Sequence, residues 1–399
     1  MTLLIDPPNS PGHGRLWSHL ASDESFDELH RFAARLGIPQ RGFDRDHYDI
    51  PAERYELVVA AGALPVSSRE LIRRLKAAGL RRRKAGALRP RRAGQPLVRA
   101  RRLTPGDTVA VVAPAGPVPE DRLDAGLEVL RSWGLEVREM PNVRGRLDNL
   151  DYLAATDAAR AADFMAAWTD PEVAGVLCAR GGYGVQRMVD LLDWDSLVAA
   201  GPKVLVGFSD VTALHQALAA RLGASTIHGP VVTSLGSGDE KSRSHLRAML
   251  FEPESVLSLT PDPVPMLVPG TAEGVLVGGT VALLAAEVGT STAVPATGGI
   301  AVLEDVDEDL YRLDRMLTHL LRAGWFDGVR GIALGRFSGC GTEESLRRLF
   351  EDRLVPLGVP TLFGVDVGHT DRNLAVPLGV PAVLDADAGT LVLREPALL

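Results

Sequence analysis

The chain has 399 residues, a net charge of −8 and 46% hydrophobic residues, the profile of an ordinary globular protein of two or three domains. No apolar run reaches the roughly 20 residues of a membrane span, and Met1–Pro8 lacks the basic and apolar regions of a secretory signal. Aromatics make up only 5%, which disfavours a surface built for base stacking. The two cysteines, Cys178 and Cys340, read as core thiols in a reducing, cytoplasmic setting.

Charge is unevenly spread. Residues 1–102 carry 20 Lys/Arg against 11 Asp/Glu, whereas the remainder carries 23 against 40. Within 69–102 there are 14 basic residues and one acid, Glu70. Such a stretch attracts phosphates or acidic surfaces. No base-reading motif accompanies it, so a solvated connector is expected rather than a nucleic-acid site.

Residues 1–85 read as a small α/β domain. Thr2–Asp6 suits a short strand, and Phe26, Leu29, Phe32, Ala33 and Leu36 form a helical stripe ended by Gly37. Ser67 and Glu70 form a capping box for a helix over 71–78, stopped by Gly79. Four histidines, His13, His19, His30 and His47, lie among Asp6, Asp44, Asp46 and Asp49. No pair has a spacing that demands a metal, so solvated polar loops are expected there. Arg81–Lys84 and the Arg/Pro/Gly run over 86–102 read as a basic linker.

From Gly106 the pattern alternates strand and helix. Thr108–Ala113, Val173–Ala179 and Val204–Gly207 are unbroken apolar strands, separated by amphipathic helices near 120–133, 158–168 and 185–192. That pattern predicts a parallel, Rossmann-like sheet covered on both faces over 103–240, with ligands at the carboxyl ends of its strands. A connecting segment over 241–270 ends in the proline-rich Pro261–Gly270. Short strands and two helices over 271–399 read as a smaller α+β domain.

Three side chains carry the chemistry. Val204-Leu-Val-Gly-Phe-Ser209-Asp210 is a strand that ends at a serine and passes straight into a helix. A hydroxyl placed there meets unpaired N–H groups and the positive end of the helix dipole, as acyl-transfer nucleophiles do. A serine needs a base and a group to orient that base. His369, in a Gly-rich loop after a strand, is the best base available, with His228 as its rival. Glu304 ends the strand 300–303 and is read as emerging at a sheet edge to orient the imidazole; Asp305, Asp307, Glu308 and Asp309 follow as competing acids. The loop Arg180-Gly-Gly-Tyr-Gly184 offers backbone donors for an oxyanion, and Arg180 a partner for a substrate carboxylate. The chain has neither Gly-x-x-x-x-Gly-Lys-Ser/Thr nor His-Glu-x-x-His, so no nucleotide, metal or other cofactor is expected.

Residues 103–395 resemble the L,D-carboxypeptidases and the related microcin C immunity proteins. The matching stretches are Pro105–Pro117, Ala179–Gly184, Gly207-Phe-Ser-Asp-Val-Thr-Ala-Leu214, His228-Gly-Pro230, Leu303–Asp314, Gly368-His369 and Asn373–Gly379. The resemblance implies a Ser209–Glu304–His369 triad, a metal-free mechanism and a homodimer. It implies release of the terminal D-alanine from a murein tetrapeptide in cell-wall recycling, with Asp210 and Gly182 N–H groups on the oxyanion and Arg180 on the D-alanine carboxylate. A peptidyl- or aminoacyl-adenylate is the alternative substrate, and a non-catalytic protein recruited through its basic N-terminal part the alternative class. Family members typically carry Asn where this chain has Thr280. The leading 1–85 resembles a domain of unknown function, through Ile5-Asp-Pro-Pro8, His13–His19 and Asp46–Asp49.

Overall fold

The computed structural model describes residues 3–12, 15–44, 46–78, 80 and 94–399. Thr2, His13, the helix stop at Gly79 and the basic stretch 81–93 lie outside the described residues. The chain forms two compact units, 1–87 and 88–399.

The first unit is one six-stranded sheet. Its strands are β1 (Leu3–Ile5), β2 (Ser10–Gly12), β3 (Arg15–Ser22), β4 (Phe43–Asp44), β5 (His47–Pro51) and β6 (Leu64–Pro65). The order is β4-β5-β3-β1-β6, with β2 also paired to β3. Side chains alternate between faces along a strand, so the sheet has two apolar sides. On one, α1 (Phe26–Arg35) and α2 (Tyr55–Ala60) bury Leu29, Phe32 and Val58 against Ile5, Leu20 and Ile50. On the other, α3 (Ser68–Ala77) sets Leu71 and Leu75 on Leu4 and Ala21. Half of the expected capping box forms: Ser67 Oγ accepts from the Glu70 N–H at 3.2 Å, while the Glu70 carboxylate turns to Arg73 and Arg74.

The second unit holds two sheets. The first contains β7 (Thr108–Val112), β8 (Glu136–Glu139), β9 (Val173–Cys178), β10 (Val204–Gly207) and β11 (Thr226–His228). All its pairs among these five are parallel. Its helices include α4 (Glu120–Ser132), α5 (Asp157–Thr169), α6 (Val185–Val189), α7 (Trp194–Ala200), α8 (Thr212–Arg221) and α9 (Val232–Leu235). The strand order β11-β10-β9-β7-β8 reverses between β7 and β9, which opens a crevice at their carboxyl ends. The segment read as a connector contains α10 (Glu240–Phe251) and β12 (Met266–Val268).

The second sheet runs β12-β16-β15-β14-β13-β18-β19. Its parallel centre is β13 (Thr271–Thr280), β14 (Gly299–Val306), β15 (Gly331–Ser338) and β16 (Thr361–Phe363); β18 (Pro381–Asp385) and β19 (Thr390–Leu393) add an antiparallel edge. Helices α11 (Val281–Glu287), α12 (Leu310–Arg322) and α13 (Glu343–Arg353) pack on it. Strand β17 (Val376–Leu378) belongs to the late part of the chain yet pairs antiparallel with β11 of the first sheet. One apolar core joins Val109, Leu177, Leu276, Ile300 and Val376, so the two sheets read as separate domains share a single interior. No described helix is long and apolar enough to cross a membrane.

A close helix contact tests this packing. A Cβ on Gly126 of α4 would stand 2.0 Å from the Val232 carbonyl oxygen in α9. Alanine normally favours a helix over glycine by about 1 kcal/mol, but overpacking costs about 1–3 kcal/mol. Gly126→Ala is therefore expected to lower the urea midpoint; a raised midpoint would mean that α9 yields freely.

Candidate active site

Ser209 sits at the sharpest turn of the unit. β10 ends at Gly207, Phe208 stays extended, and Ser209 takes φ +66° before a 3₁₀ turn over Ser209–Val211 feeds α8. Among the described residues only Ser209 and Asp307 adopt positive φ without being glycine. An L-residue there is strained by about 1–3 kcal/mol, a cost found where function fixes the backbone. The turn lifts the half-buried hydroxyl above the strand end, the arrangement of a nucleophile elbow.

The Gly-rich loop packs directly on it. A Cβ on Gly181 would lie 2.8 Å from Ser209 Cβ and 3.0 Å from its Oγ, so only glycine lets the loop run there. Gly182, the expected oxyanion donor, follows Gly181 at φ +116° and packs closely on the Gly116 backbone. Asp210, the other expected donor, fastens the loop through its buried carboxylate, which accepts from the Val185 N–H at 2.8 Å. Burial pushes that carboxyl up to about 6.

Glu304 is fully buried rather than at a sheet edge. β14 is a central strand continuing to Val306, and its pairing with β15 shifts register between Leu303 and Asp305. Such irregularities re-aim a side chain. Glu304 Oε2 lies 2.7 Å from His369 Nδ1. Its Oε1 accepts from the Thr280 hydroxyl, and the Thr280 N–H donates to Thr212 Oγ1 at 3.2 Å. Burial alone would raise the Glu304 carboxyl, but His369, with His228 and Thr280, holds it below the usual range. Thr280 is thus a supporting residue whose contact with Glu304 the sequence did not reveal.

Burial works against a charged His369 ring, yet the Glu304 hydrogen bond and charge raise its pKa above the ordinary value. The loop reaches Glu304 because residue 368 is glycine: a Cβ there would lie 2.6 Å from Glu304 Oε2. The Gly368 N–H is anchored on Asn373 Oδ1 at 3.0 Å, and the Asn373 N–H on Ser242 Oγ of α10 at 2.9 Å. The His369 ring is 20% exposed and its centroid lies 4.7 Å from that of Phe208, the neighbour of Ser209. Among the described residues no hydrogen bond joins Ser209 Oγ to His369.

The rival base is sealed in. His228 is 1% exposed with neither ring nitrogen hydrogen-bonded among the described residues, and burial pushes its pKa down to about 4. Its Nε2 stands 3.9 Å from Glu304 Oε1, so it lines the carboxylate's pocket as a neutral ring. Of the competing acids, Asp305 accepts from the Ala282 N–H at the start of α11, and burial raises it to about 7.

Arg180 is exposed at the end of β9, with Nη1 donating to the Pro117 carbonyl at 2.7 Å. Among the described residues no carboxylate pairs with it. It borders a cavity of about 380 Å³ shared with Arg146, Tyr152, Gly182 and Tyr183, whose two tyrosine rings lie 5.9 Å apart.

Comparison with known proteins places this geometry. Residues 109–229 match the LD-carboxypeptidase N-terminal domain and 273–384 its C-terminal domain; residues 3–78 match a family described only as proteins of unknown function (DUF4031). A Streptomyces coelicolor protein whose name places it among the carboxypeptidases is 58% identical over 76% of this chain and 98% of its own. The murein tetrapeptide carboxypeptidase of Pseudomonas aeruginosa is 36% identical over 67% of this chain and 89% of its own. Among solved structures, MccF in complex with glutamyl sulfamoyl guanosine aligns with TM-score 0.68 at 23% identity, covering 75% of this chain and 99% of that one. The muramoyltetrapeptide carboxypeptidase of Oxalobacter formigenes aligns with TM-score 0.61 at 29% identity, covering 72% and 97%. With both of its domains matched and relatives spanned almost end to end, the chain belongs to the LD-carboxypeptidase family.

Proposed function

We propose that the protein is a serine-type L,D-carboxypeptidase that releases the terminal D-alanine of murein tetrapeptide in the cytoplasm during cell-wall recycling. The observation that carries this reading is the Glu304–His369 hydrogen bond placed beside a strained Ser209. With Nδ1 held on a buried carboxylate, the tautomer leaves the Nε2 lone pair as the free base. Ser209 Oγ attacks the carbonyl of the L-centre as His369 Nε2 takes its proton. The same proton passes to the departing D-alanine amine, and water then opens the acyl-enzyme by the reverse route. Substrate seated against Phe208 has to complete the Ser209–His369 contact, because catalytic hydrogen bonds often tighten only in the bound complex.

The developing oxyanion falls beside the Asp210 N–H and the Gly181–Gly182 backbone; losing one such donor costs about 3–4 kcal/mol of barrier. Arg180 has a guanidinium open to the D-alanine carboxylate. A second reading, hydrolysis of aminoacyl-nucleotides, draws on the Tyr152–Tyr183 ring pair beside Arg180, which offers a base a stacking surface.

Incubation with murein tetrapeptide and with an aminoacyl sulfamoyl-adenylate, followed by mass spectrometry, separates the two readings. Loss of D-alanine from the tetrapeptide alone is expected; cleavage of the adenylate alone would replace the first reading with the second. Ser209→Ala is expected to cut release by about 10⁴–10⁶-fold with an unchanged circular dichroism spectrum. Retained turnover would remove the serine from the mechanism.

A base must be unprotonated. kcat/KM is therefore expected to fall about tenfold per pH unit below a pKa lying above the ordinary histidine value of about 6.5. Glu304→Gln removes the charge that raises His369 and leaves the burial that lowers it, so the limb should move to lower pH as the rate falls by about 10⁴-fold. A limb that stays in place would dissociate Glu304 from the base.

Arg180→Gln is expected to raise KM for the tetrapeptide about 10–100-fold, the worth of a charged hydrogen bond. A tetrapeptide amidated at its C-terminus should not feel that substitution; equal effects on both would free Arg180 from carboxylate recognition.

A further inference from the structure

Two histidines and two carboxylates of the first unit gather on one face of its sheet by strand register. His19 of β3 pairs directly with Asp49 of β5. His47 stands two residues before Asp49 on the same strand and so points to the same side. At the end of β1, Asp6 continues the row, with its N–H on the His19 carbonyl at 3.2 Å. α3 covers the part of this face around Leu4 and Ala21. The row beyond it remains accessible: His19 and His47 are half-buried and Asp49 is exposed.

The histidines are held from behind. Asp6, 1% exposed, takes His19 Nδ1 at 2.9 Å, the His19 N–H at 2.6 Å and the Ser68 hydroxyl at 2.6 Å. Asp46, 0% exposed, takes His47 Nδ1 at 2.6 Å. A buried carboxylate on Nδ1 orients each ring and leaves Nε2 as its remaining donor atom, which is how metal-ligating histidines are held. The two rings meet edge to face at 4.8 Å, and Asp49 Oδ1 lies 3.3 Å from His47 Nε2. One donor atom from each of His19, His47 and Asp49 falls within 4.8 Å of the others.

We propose that His19, His47 and Asp49 bind a first-row divalent transition metal, with Asp6 and Asp46 as the carboxylates that orient its histidines. Two imidazoles and one carboxylate suit zinc, iron(II) or manganese(II) and leave coordination positions open for water or an anionic ligand. The exposed Asp49 side chain closes the set by rotation about its own bonds. The proposal is independent of the serine chemistry in the second unit.

The test uses the full chain without a polyhistidine tag, stripped with chelator and titrated with ZnCl₂ by calorimetry and with CoCl₂ by visible absorption. One equivalent of zinc at micromolar affinity or tighter is expected, with d–d bands from bound cobalt. His19→Ala and His47→Ala should each weaken binding at least about 100-fold, and Asp6→Asn about 10–100-fold. D-alanine release should stay at the wild-type level in His47→Ala. Where a histidine variant loses its circular dichroism spectrum, Asp49→Asn, altered only at an exposed side chain, carries the same expectation. Absence of stoichiometric uptake by the wild type would overturn the proposal and leave His47 as an imidazolium between Asp46 and Asp49. Undiminished uptake by the folded variants would overturn it equally.

Discussion

A buried carboxylate facing one nitrogen of a half-exposed imidazole governs the second unit. Glu304 is out of water entirely, and an isolated buried carboxylate would protonate rather than stay charged. His369 on one oxygen, with Thr280 on the other, keeps it ionised. That charge in turn holds the ring in a single tautomer and raises its basicity. Asp210 shows the contrast: similarly buried, it takes backbone N–H donors and its carboxyl rises.

Topology explains how residues so far apart converge. The chain leaves β16, makes the Gly368-His369 turn and returns through β17 to the edge of the other sheet, beside β11. This strap carries the imidazole from the sheet that holds Glu304 toward the sheet that ends at Ser209. Thr212, just past the serine turn, reaches Thr280 at the end of β13, which stands beside Glu304 in register. The two sheets therefore share both an interior and a site. Glycines at 181 and 368 permit the backbone approaches on which each half relies.

Much of this was legible in the sequence because it is local. A strand ending at a serine before a helix, the apolar runs of the parallel sheet and the helix cap at Ser67 are all written within a few residues. What the sequence hid is set by distant partners. Glu304 looked like a sheet edge because the apolar run 300–303 ends before it; only pairing on both sides shows β14 to be central. His228 looked available because it precedes Gly229-Pro230 and lies close in sequence to the parallel sheet, whereas it ends β11 with its ring sealed against Glu304. The row of Asp6, His19 and Asp49 is invisible without the register of three strands separated by helices and turns. Residues 241–270 looked like a connector because proline dominates their end, yet α10 supplies the Ser242 hydroxyl that steadies the histidine loop.

The most direct test of this account is proton NMR of the far-downfield region, where an imidazole N–H held on a carboxylate gives an isolated resonance. The wild type is expected to show such a proton from His369 beside those of His19 on Asp6 and His47 on Asp46, identified by its loss in His369→Ala, present also in Ser209→Ala and lost in Glu304→Ala. A spectrum without that resonance, or one in which it survives the loss of Glu304, would contradict the account.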